Sequence, residues 1–203
     1  MATTEHHTSS KEMILALAIT QIDRGGEASI RVKQIAEDAG TSVTSIYHFY
    51  GSREGLIEAA QIARFEGGYE GTRAKFLAAA QTVETREDFT QFLEAQVREI
   101  FTATHRMNRR RRMNVAGSAI ARPDLLSAIN DVQRRWYAEL VDGLRTAKER
   151  GLIGKDADVE SIATWHLVTV DGFPAIEGDS TGTDVAKWLE FYIDTMFRAL
   201  GLR

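Results

Sequence analysis

The strongest concentration of chemically active side chains in the sequence is a basic cluster near its middle. Arg106 is followed by four consecutive arginines at positions 109–112. Three interpretations are open: the cluster binds an acidic ligand, it contacts DNA, or it begins a solvated helix and pairs with acidic neighbours. Four consecutive residues of a helix point in four directions, so no single face holds them all. The third interpretation is therefore the simplest of the three.

Two polar residues, His166 and Asp171, stand inside an otherwise apolar segment of the second half. Polar groups in a concave apolar site fix the orientation of a small ligand. A histidine satisfied within a core or an interface is the plainer interpretation of His166, and most apolar residues at helical spacing are core. The side chains that we expect to line a pocket, if one exists, are Phe92, Phe101, Met113, Trp136, Tyr137, Trp165, His166 and Phe173.

Motifs for catalysis or for a bound cofactor are missing from the sequence. It contains no HExxH, no Gly-x-Ser-x-Gly and no phosphate-binding loop. The five histidines lack the spacing of metal ligands, and there is no cysteine. Disulfides, thiolate zinc sites and cysteine nucleophiles are thereby excluded, which is compatible with a reducing cytoplasm. We therefore expect no enzyme, no cofactor and no metal.

The size and charge of the chain set further limits. Its 203 residues suffice for one large domain or two small ones. The net charge is −4, and the first 63 residues hold more acidic than basic side chains, so bulk charge does not indicate nucleic acid. No apolar run approaches the roughly 20 residues of a membrane helix, and the amino terminus lacks a signal-peptide pattern. These features favour a cytoplasmic protein.

Apolar residues recur at intervals of three and four along most of the chain, which indicates α-helices rather than strands. Serines mark several helix starts and glycines mark ends. The spacing predicts helices at about 10–24, 32–39, 42–50, 52–65, 85–103, 109–121, 124–150, 159–177 and 184–200. Glycines at 67, 68 and 71 predict a linker or a helix break. The fold class predicted from this pattern is all-α.

The second and third predicted helices have the offsets of a helix-turn-helix. Such a motif needs two short helices joined by a tight turn. Gly40 supplies the positive φ that the turn requires, and Ala36 is small enough for the close helix crossing. Apolar residues that bracket the turn are Ile35, Ala39, Ile46 and Phe49. Thr41, directly after the turn, is more polar than such a position prefers.

Together with its flanks, this block resembles the TetR (tetracycline-repressor-like) family. The resemblance rests on Ile35-Ala36-Glu37-Asp38-Ala39-Gly40, on Ser42, on the run Ile46-Tyr47-His48-Phe49-Tyr50 and on Ser52-Arg53-Glu54-Gly55-Leu56. It covers about residues 10–60. The remaining residues resemble the family only in being helical and of suitable length.

The resemblance implies that the third helix lies in the DNA major groove. Ser42, Val43 and Thr44 would then face base edges, with Thr44 as a hydrogen-bonding group and Val43 against a thymine methyl. Tyr47 and His48 would reach phosphates. The full set of implied DNA contacts is Arg31, Lys33, Ser42, Val43, Thr44, Tyr47, His48 and Arg53.

Two departures from the family pattern limit what can be transferred. Members often carry Lys-Gly where this chain has Val43-Thr44, so the base preference does not carry over. Many have Thr or Ser at Arg31, where it caps the helix. Arg31 loses that cap and gains a side chain long enough to reach a phosphate.

The resemblance also implies the overall organisation. We expect an amino-terminal three-helix DNA-binding domain at residues 1–52 and a helical ligand-binding and dimerisation domain at residues 53–203. The last predicted helix has a broad apolar stripe, and we expect Trp188, Tyr192 and Met196 at a homodimer interface. The expected partners are a palindromic double-stranded DNA operator, a small-molecule effector and a second copy of the chain.

The expected function is sequence-specific DNA binding by a transcriptional regulator, a repressor that a small molecule releases from its operator. Two alternatives stay open from the sequence. One is a regulator that binds DNA without a ligand. The other is a helical binding protein or enzyme that has lost DNA binding.

Overall fold

The computed structural model describes residues 2–178 and 182–203, with side chains from Ser10 onward. This part of the chain contains helices and no strand, which confirms the predicted all-α fold class. Its α-helices are α1 (Ala2–Gly25), α2 (Val32–Asp38), α3 (Val43–Tyr50), α4 (Arg53–Glu66), α5 (Glu70–Thr82), α6 (Arg86–Ile100), α7 (Arg106–Ala119), α8 (Pro123–Glu149), α9 (Val159–Gly172) and α10 (Val185–Ala199). Short 3-10 helices span Glu27–Ser29, Ala103–His105 and Phe173–Ala175.

The amino-terminal helices close around one small core, to which α1, α2, α3 and α4 all contribute. Ile14, Ile35 and Ile46 have no exposed surface. Gly40 has a φ of 61°, the left-handed conformation that the helix-turn-helix pattern predicts for the turn. Ala36 is 4% exposed, in agreement with a close crossing of α2 and α3. The predicted motif is thus present as a packed unit.

Serine side chains fix where α3 and α4 begin. The Ser42 hydroxyl accepts a hydrogen bond from the backbone N–H of Ser45 at 3.0 Å. The Ser52 hydroxyl accepts one from the backbone N–H of Gly55, also at 3.0 Å. Each bond satisfies an amide that the first turn of a helix leaves without a partner.

Helix α4 takes part in two cores. Leu56 and Ala60 belong to the amino-terminal core, whereas Phe65 near its carboxyl end packs in a second core with Val115 of α7 and Leu125 of α8. A single rigid helix therefore joins the two halves of the protein. The boundary between residues 52 and 53 falls at the start of this shared helix and stays a prediction.

The helix break predicted around residues 67–71 is present, but it is short, and helix α5, which was not predicted, follows it. Only residues 67–69 form a turn, and a helix begins at Glu70 in spite of Gly71. The apolar stripe of α5 is weak, so packing against α8 has to stabilise it. Gly143 of α8 allows a close approach, because a Cβ at that position would collide with the Phe76 ring.

The largest core lies between α5, α6, α8, α9 and α10. Helix α9 ends at Gly172, five residues before the predicted end at residue 177, and Phe173–Ala175 continues as a 3-10 helix. Pro174 explains the difference, because proline has no N–H to continue an α-helix. None of the described helices combines the length and apolar content that a membrane crossing needs.

Candidate functional site

The outer side of α2 and α3 presents four of the expected DNA contacts to solvent. Lys33, Thr44, Tyr47 and His48 are all exposed. Three of them are spaced by three and four residues on α3, so they lie on one side of that helix. Tyr47 is 42% exposed although it is aromatic and stands one position from the buried Ile46. This side of α3 is therefore available to an external partner.

The other four expected contacts have partners within the protomer. Ser42 is the N-cap of α3, and Val43 packs partly against the amino-terminal core. Arg31 makes no side-chain cap, as expected, and its guanidinium donates to the carbonyl of Ala28 at 2.7 Å. Arg53 donates to the carbonyl of Glu27 at 3.0 Å. The arginine side chains of the set are thus both bonded to backbone carbonyls of the protomer.

One basic residue near this surface was not among the expected contacts. Tyr50, at the end of α3, donates its hydroxyl to the carbonyl of Lys11 at 2.8 Å, and burial raises the pKa of that hydroxyl. The Lys11 ammonium lies 5.9 Å from the centre of the Tyr50 ring and is exposed. Its only signal in the sequence is a lysine at the predicted start of the first helix.

A cavity of about 130 Å³ opens among the helices of the second half. Most of its wall is apolar, with contributions from α5, α6, α8, α9 and α10 and one arginine from α7. The lining residues are Tyr69, Thr72, Arg73, Phe76, Leu77, Leu93, Gln96, Val97, Ile100, Arg112, Trp136, Glu139, Leu140, Leu144, Ile162, Ala163, His166, Leu167, Val170, Asp171, Met196 and Leu200. An apolar pocket with a few polar groups is the usual form of a small-molecule site.

The charged residues of this wall are paired with one another. The Arg112 guanidinium donates from Nε and Nη2 to the two carboxylate oxygens of Asp171 at 2.9 and 3.1 Å. Arg73 donates to Glu139 at 2.8 Å. Both guanidiniums also lie over the ring of Trp136, at 4.2 Å for Arg112 and 5.0 Å for Arg73. The wall thus carries two ion pairs and no unpaired charge of its own.

His166 is a neutral group in this wall. Its Nδ1 lies 2.5 Å from the hydroxyl of Tyr192, within hydrogen-bonding distance. Burial lowers the pKa of His166 to about 4, because a low-dielectric surrounding disfavours the charged imidazole. Burial likewise raises the pKa of the Tyr192 hydroxyl. His166 is both the satisfied core histidine and a residue that lines the cavity.

Of the eight residues expected to line a pocket, Trp136 and His166 lie in the cavity wall. Tyr137 lines a more open hollow beside it. The expectation is wrong for the other five residues, which line neither space. Four of them are aromatic, and their rings contact other aromatic rings. Phe101 and Phe173 meet at 4.8 Å, Trp165 stacks on Tyr192 at 4.7 Å, and Phe92 stacks on Phe89 at 6.4 Å. Met113 is 49% exposed on α7.

Several cavity residues were not expected from the sequence, among them Tyr69, Arg73, Gln96 and Glu139. Gln96 and Glu139 are polar residues that interrupt the apolar side of a predicted helix, and the same pattern singled out His166. Tyr69 and Arg73 belong to a segment in which no helix was predicted. The pattern was thus present for two of the four.

The arginine cluster combines pairing with burial. Arg109 is 1% exposed, forms an ion pair with Glu177 and donates to the carbonyl of Thr102 at 3.1 Å. Arg106 also contacts Glu177, at 3.1 Å, and Arg112 binds Asp171. Pairing with acidic residues, the third interpretation, thus describes the cluster best. Two of these arginines are buried rather than solvated.

The residues expected at a dimer interface lie mainly inside the protomer. Tyr192 is 1% exposed and Met196 is 5% exposed, so the prediction that they contact a partner chain is corrected. Trp188 is half-buried and stacks on Phe173 at 5.0 Å. The apolar stripe of α10 is broad because it has two sides. The outer side carries Phe191, which is 67% exposed, and Val168 on α9 is 66% exposed.

Ion pairs connect the amino-terminal helices to α4 and α7. The carboxylate of Asp23 at the end of α1 accepts from Nε of Arg64 at 3.0 Å and from Nε of Arg111 at 3.1 Å. Glu27, two residues after α1, forms an ion pair with Arg122 at 2.6 Å. Arg111 adjoins Arg112, so α7 contacts the amino-terminal domain and the cavity through consecutive residues.

Known proteins resemble this chain in its amino-terminal domain and in its overall fold. The family model of the bacterial regulatory proteins, tetR family, matches residues 14–60. No curated protein matches the chain in sequence. A protein from Mesorhizobium loti described as a TetR-family transcriptional regulator superposes with a TM-score of 0.72 at 13% identity, covering 97% of both chains.

Two other solved structures are similar over almost the whole length. One is a transcriptional regulator from Saccharomonospora viridis in complex with choline, with a TM-score of 0.65, 19% identity, and coverage of 94% of this chain and 96% of that one. The other is the fatty acid degradation regulator FadR from Bacillus halodurans, with a TM-score of 0.59, 17% identity, and coverage of 92% and 93%. The chain is therefore a DNA-binding transcriptional regulator that carries a TetR-family amino-terminal domain on the fold of that family.

Proposed function

We propose that this regulator is a homodimeric repressor that leaves a palindromic operator when a neutral or weakly polar small molecule occupies its cavity. The observation that carries the proposal is the position of α7. Arg112 on this helix lies in the cavity wall, and the neighbouring Arg111 binds Asp23 of the amino-terminal domain. A ligand that moves Arg112 can therefore move Arg111 and, through its ion pair with Asp23, the DNA-binding helices.

In this proposal α3 lies in the major groove, with Thr44 on a base edge and Val43 against a thymine methyl. Tyr47, His48 and Lys33 bind phosphates, which set the register of the protein on the duplex. Their exposure on one surface supports these roles. Ser42 contributes by fixing the start of α3, and Arg31 and Arg53 lie beside the same surface. We retain residues 1–52 as the DNA-binding domain and residues 53–203 as the ligand and dimer domain.

The dimer forms through α9 and α10. Phe191 and Val168 are large apolar side chains of these two helices, and each is about two-thirds exposed in the protomer. A two-fold contact places the same residues on both sides of the interface. It also holds two α3 helices roughly 34–36 Å apart, one turn of DNA, and so selects a palindrome.

Ligand binding acts through a difference in affinity between two states of the dimer. A ligand that shifts the paired Arg112 and Asp171 moves α7, and the ion pair of Arg111 with Asp23 passes that movement to the end of α1. The ion pair of Arg122, before α8, with Glu27, after α1, is a second connection between the two halves. The spacing of the two α3 helices then no longer fits the operator. The protein acts in the cytoplasm, without catalysis, cofactor or metal.

The experiment has two arms. Selection from a random duplex library first yields the bound sequence, which the proposal expects to be a palindrome with half-sites about 10 base pairs apart. Compounds that raise the melting temperature of the protein are then added to the protein–operator complex, and the expected loss of operator affinity corresponds to about 1–3 kcal/mol. Stabilising compounds that leave operator affinity unchanged would favour a regulator that binds DNA independently of ligand.

A further inference from the structure

Buried polar atoms without hydrogen-bond partners concentrate in the wall of the cavity. Within the described part of the chain there are four such side-chain atoms: Tyr69 Oη, Gln96 Oε1, Trp136 Nε1 and His105 Nδ1. The first three belong to residues that line the cavity, and His105 stacks on Tyr69 at 5.3 Å. Tyr69 is 7% exposed and Trp136 is 5% exposed, and Gln96 is half-buried with its Oε1 atom covered, so bulk solvent does not reach these atoms. Buried polar groups normally have a hydrogen-bond partner, so we infer that these atoms bond to a molecule from outside the chain.

The chemistry of the three atoms specifies what such a partner must offer. The indole N–H of Trp136 is a donor only, and the amide oxygen of Gln96 is an acceptor only. Burial raises the pKa of Tyr69, and the charged groups around its hydroxyl are the guanidiniums of Arg109 and Arg112 and the carboxylate of Asp171. Arg109 can only donate to the hydroxyl oxygen, and no carboxylate of the described residues lies within hydrogen-bonding distance, so the hydroxyl proton of Tyr69 still needs an acceptor. A ligand that satisfies all three atoms both accepts and donates hydrogen bonds.

The charges of the wall exclude ionic ligands. Arg112 and Arg73 are already neutralised by Asp171 and Glu139. A carboxylate ligand would have to displace one of these partners and would leave the amide oxygen of Gln96 without a donor. An ammonium ligand would enter beside two guanidiniums that lie over the Trp136 ring. His166 adds no charge at neutral pH, so a neutral ligand is favoured.

The cavity also limits size. Its volume of about 130 Å³ is of the same order as a cavity that accommodates one benzene ring, and most of its lining is apolar. We propose that the ligand of this regulator is a neutral molecule with a ring-sized apolar body and one hydroxyl or amide group, which bonds to Tyr69, Trp136 and Gln96. This assignment rests on the proposed ligand-binding function and adds the chemical class of the ligand.

Four probes of one ring each separate the classes: toluene, benzyl alcohol, benzoate and benzylammonium. Their dissociation constants are measured by calorimetric titration of the full-length protein at pH 7, without DNA. Benzyl alcohol is expected to bind about fivefold more tightly than toluene, the effect of one net hydrogen bond. Benzoate and benzylammonium are expected to bind at least about tenfold more weakly than the alcohol, because each brings a charge into a wall whose charges are already paired. Equal binding of alcohol and toluene, tighter binding of either ion, or no binding of any probe overturns the assignment.

Variants test the three groups individually. Gln96→Leu, Trp136→Phe and Tyr69→Phe are each expected to reduce the preference for benzyl alcohol over toluene. Toluene binding itself should stay unchanged in Gln96→Leu and Tyr69→Phe, whereas Trp136→Phe also enlarges the cavity, so only the ratio of the two dissociation constants is read for that variant. The matched control is Gln91→Leu, on the exposed side of the same helix α6 as Gln96, which should retain the full preference. Because Gln96→Leu and Tyr69→Phe remove unpaired polar atoms and keep the bulk of the side chain, the melting temperature of these two ligand-free variants should not fall. Trp136→Phe should lower it, because this variant also shrinks a buried ring that packs on Phe65 and under two guanidiniums. A preference unaffected by all three variants contradicts the proposal.

These experiments distinguish a failure of the assigned ligand class from a failure of the proposed release of operator by ligand. If benzyl alcohol binds with the expected preference and the operator stays bound, release by ligand fails and the ligand class stands. If a charged compound releases the operator and benzyl alcohol does not bind, the ligand class fails and release by ligand stands.

Discussion

Arg111 of α7 and Asp23 of α1 form an ion pair that joins the two halves of this regulator. Asp23 also binds Arg64 of α4, which is 7% exposed, so one carboxylate holds three helices together. A carboxylate shared by two guanidiniums in a partly buried position is more constrained than a surface ion pair. The contact is therefore a defined connection between cavity and DNA-binding helices.

If this connection transmits ligand binding, Arg111→Gln should weaken it selectively. The variant should bind ligand and operator individually with affinities close to those of the unaltered protein. The coupling between the two, about 1–3 kcal/mol in a typical regulator, should fall by at least half. Titration of operator at fixed ligand concentrations measures the coupling. Arg110→Gln, an exposed neighbour on the same helix, is the control and should retain it. Full coupling in Arg111→Gln would rule out this route.

Thr44 should carry base selectivity. The exposed hydroxyl on α3 is proposed to bond to a base edge, so Thr44→Ala should lose about 1–3 kcal/mol of discrimination at one position of each half-site. Affinity for random DNA should be unchanged. Competition among single-base operator variants measures the effect. Equal loss on operator and random DNA would show that Thr44 contacts only the backbone.

Tyr47 should contribute affinity without selectivity. Removal of its hydroxyl in Tyr47→Phe should weaken binding to every sequence by a similar factor, about 1 kcal/mol for one hydrogen bond to phosphate. The ring stays, so fold and dimer should survive. Filter-binding titrations on operator and random duplexes measure the loss, and unchanged affinity on both would remove this contact from the interface.

The dimer should depend on Phe191. A carboxylate placed at this exposed apolar position in Phe191→Glu should give monomers at micromolar concentration, as measured by light scattering. Met107→Glu is the matched control, because Met107 is 56% exposed on α7, a helix outside the proposed interface, and that variant should remain dimeric. Tyr192→Glu is not a suitable test, since it would place a charge in the core of the protomer. A dimeric Phe191→Glu variant would place the interface elsewhere.

The lowered pKa of His166 should appear in the pH dependence of stability. The unfolded chain protonates this histidine below its ordinary pKa of about 6.5, whereas the folded protein keeps it neutral to about pH 4. Its stabilising effect is therefore complete above pH 6.5 and is lost as the pH falls towards 4, by up to about 3 kcal/mol. Denaturant titrations between pH 4.5 and 7.5 should show a smaller loss for His166→Gln. Parallel curves for the two proteins would contradict the shift.

Local patterns predicted the amino-terminal domain well, because its signals are confined to a few turns of chain. Gly40 supplies the positive φ of the turn, and Ala36 is small enough for the close crossing of α2 and α3. The structure has both residues in these conformations and positions. Ser52 likewise caps the helix that it directly precedes.

The cavity was predicted less well, because its wall depends on contacts between distant helices. Phe101 and Tyr69 are both buried aromatic residues, yet only Tyr69 faces the cavity. The spacing of apolar residues does not show which of the two faces the cavity, because each stands at the end of a helix: Tyr69 before α5 and Phe101 after α6. Helix α5 escaped prediction for the same reason: its sequence has little apolar stripe, and its position depends on the close approach of Phe76 to Gly143.

The DNA-facing surface bears on how the protein searches a chromosome. The guanidiniums of Arg31 and Arg53 are bonded to backbone carbonyls within the protomer, and among the described residues near α3 this leaves Lys33 and Lys11 as exposed cations without such a bond. Binding to arbitrary sequence depends on cations that displace counterions from phosphates, so a protomer with few of them spends little time on arbitrary DNA and slides only short distances. If the proposed contacts hold, we expect such a regulator to reach its operator mainly through free diffusion. A modest number of molecules per cell would then keep the operator occupied, because few of them would be bound elsewhere on the chromosome.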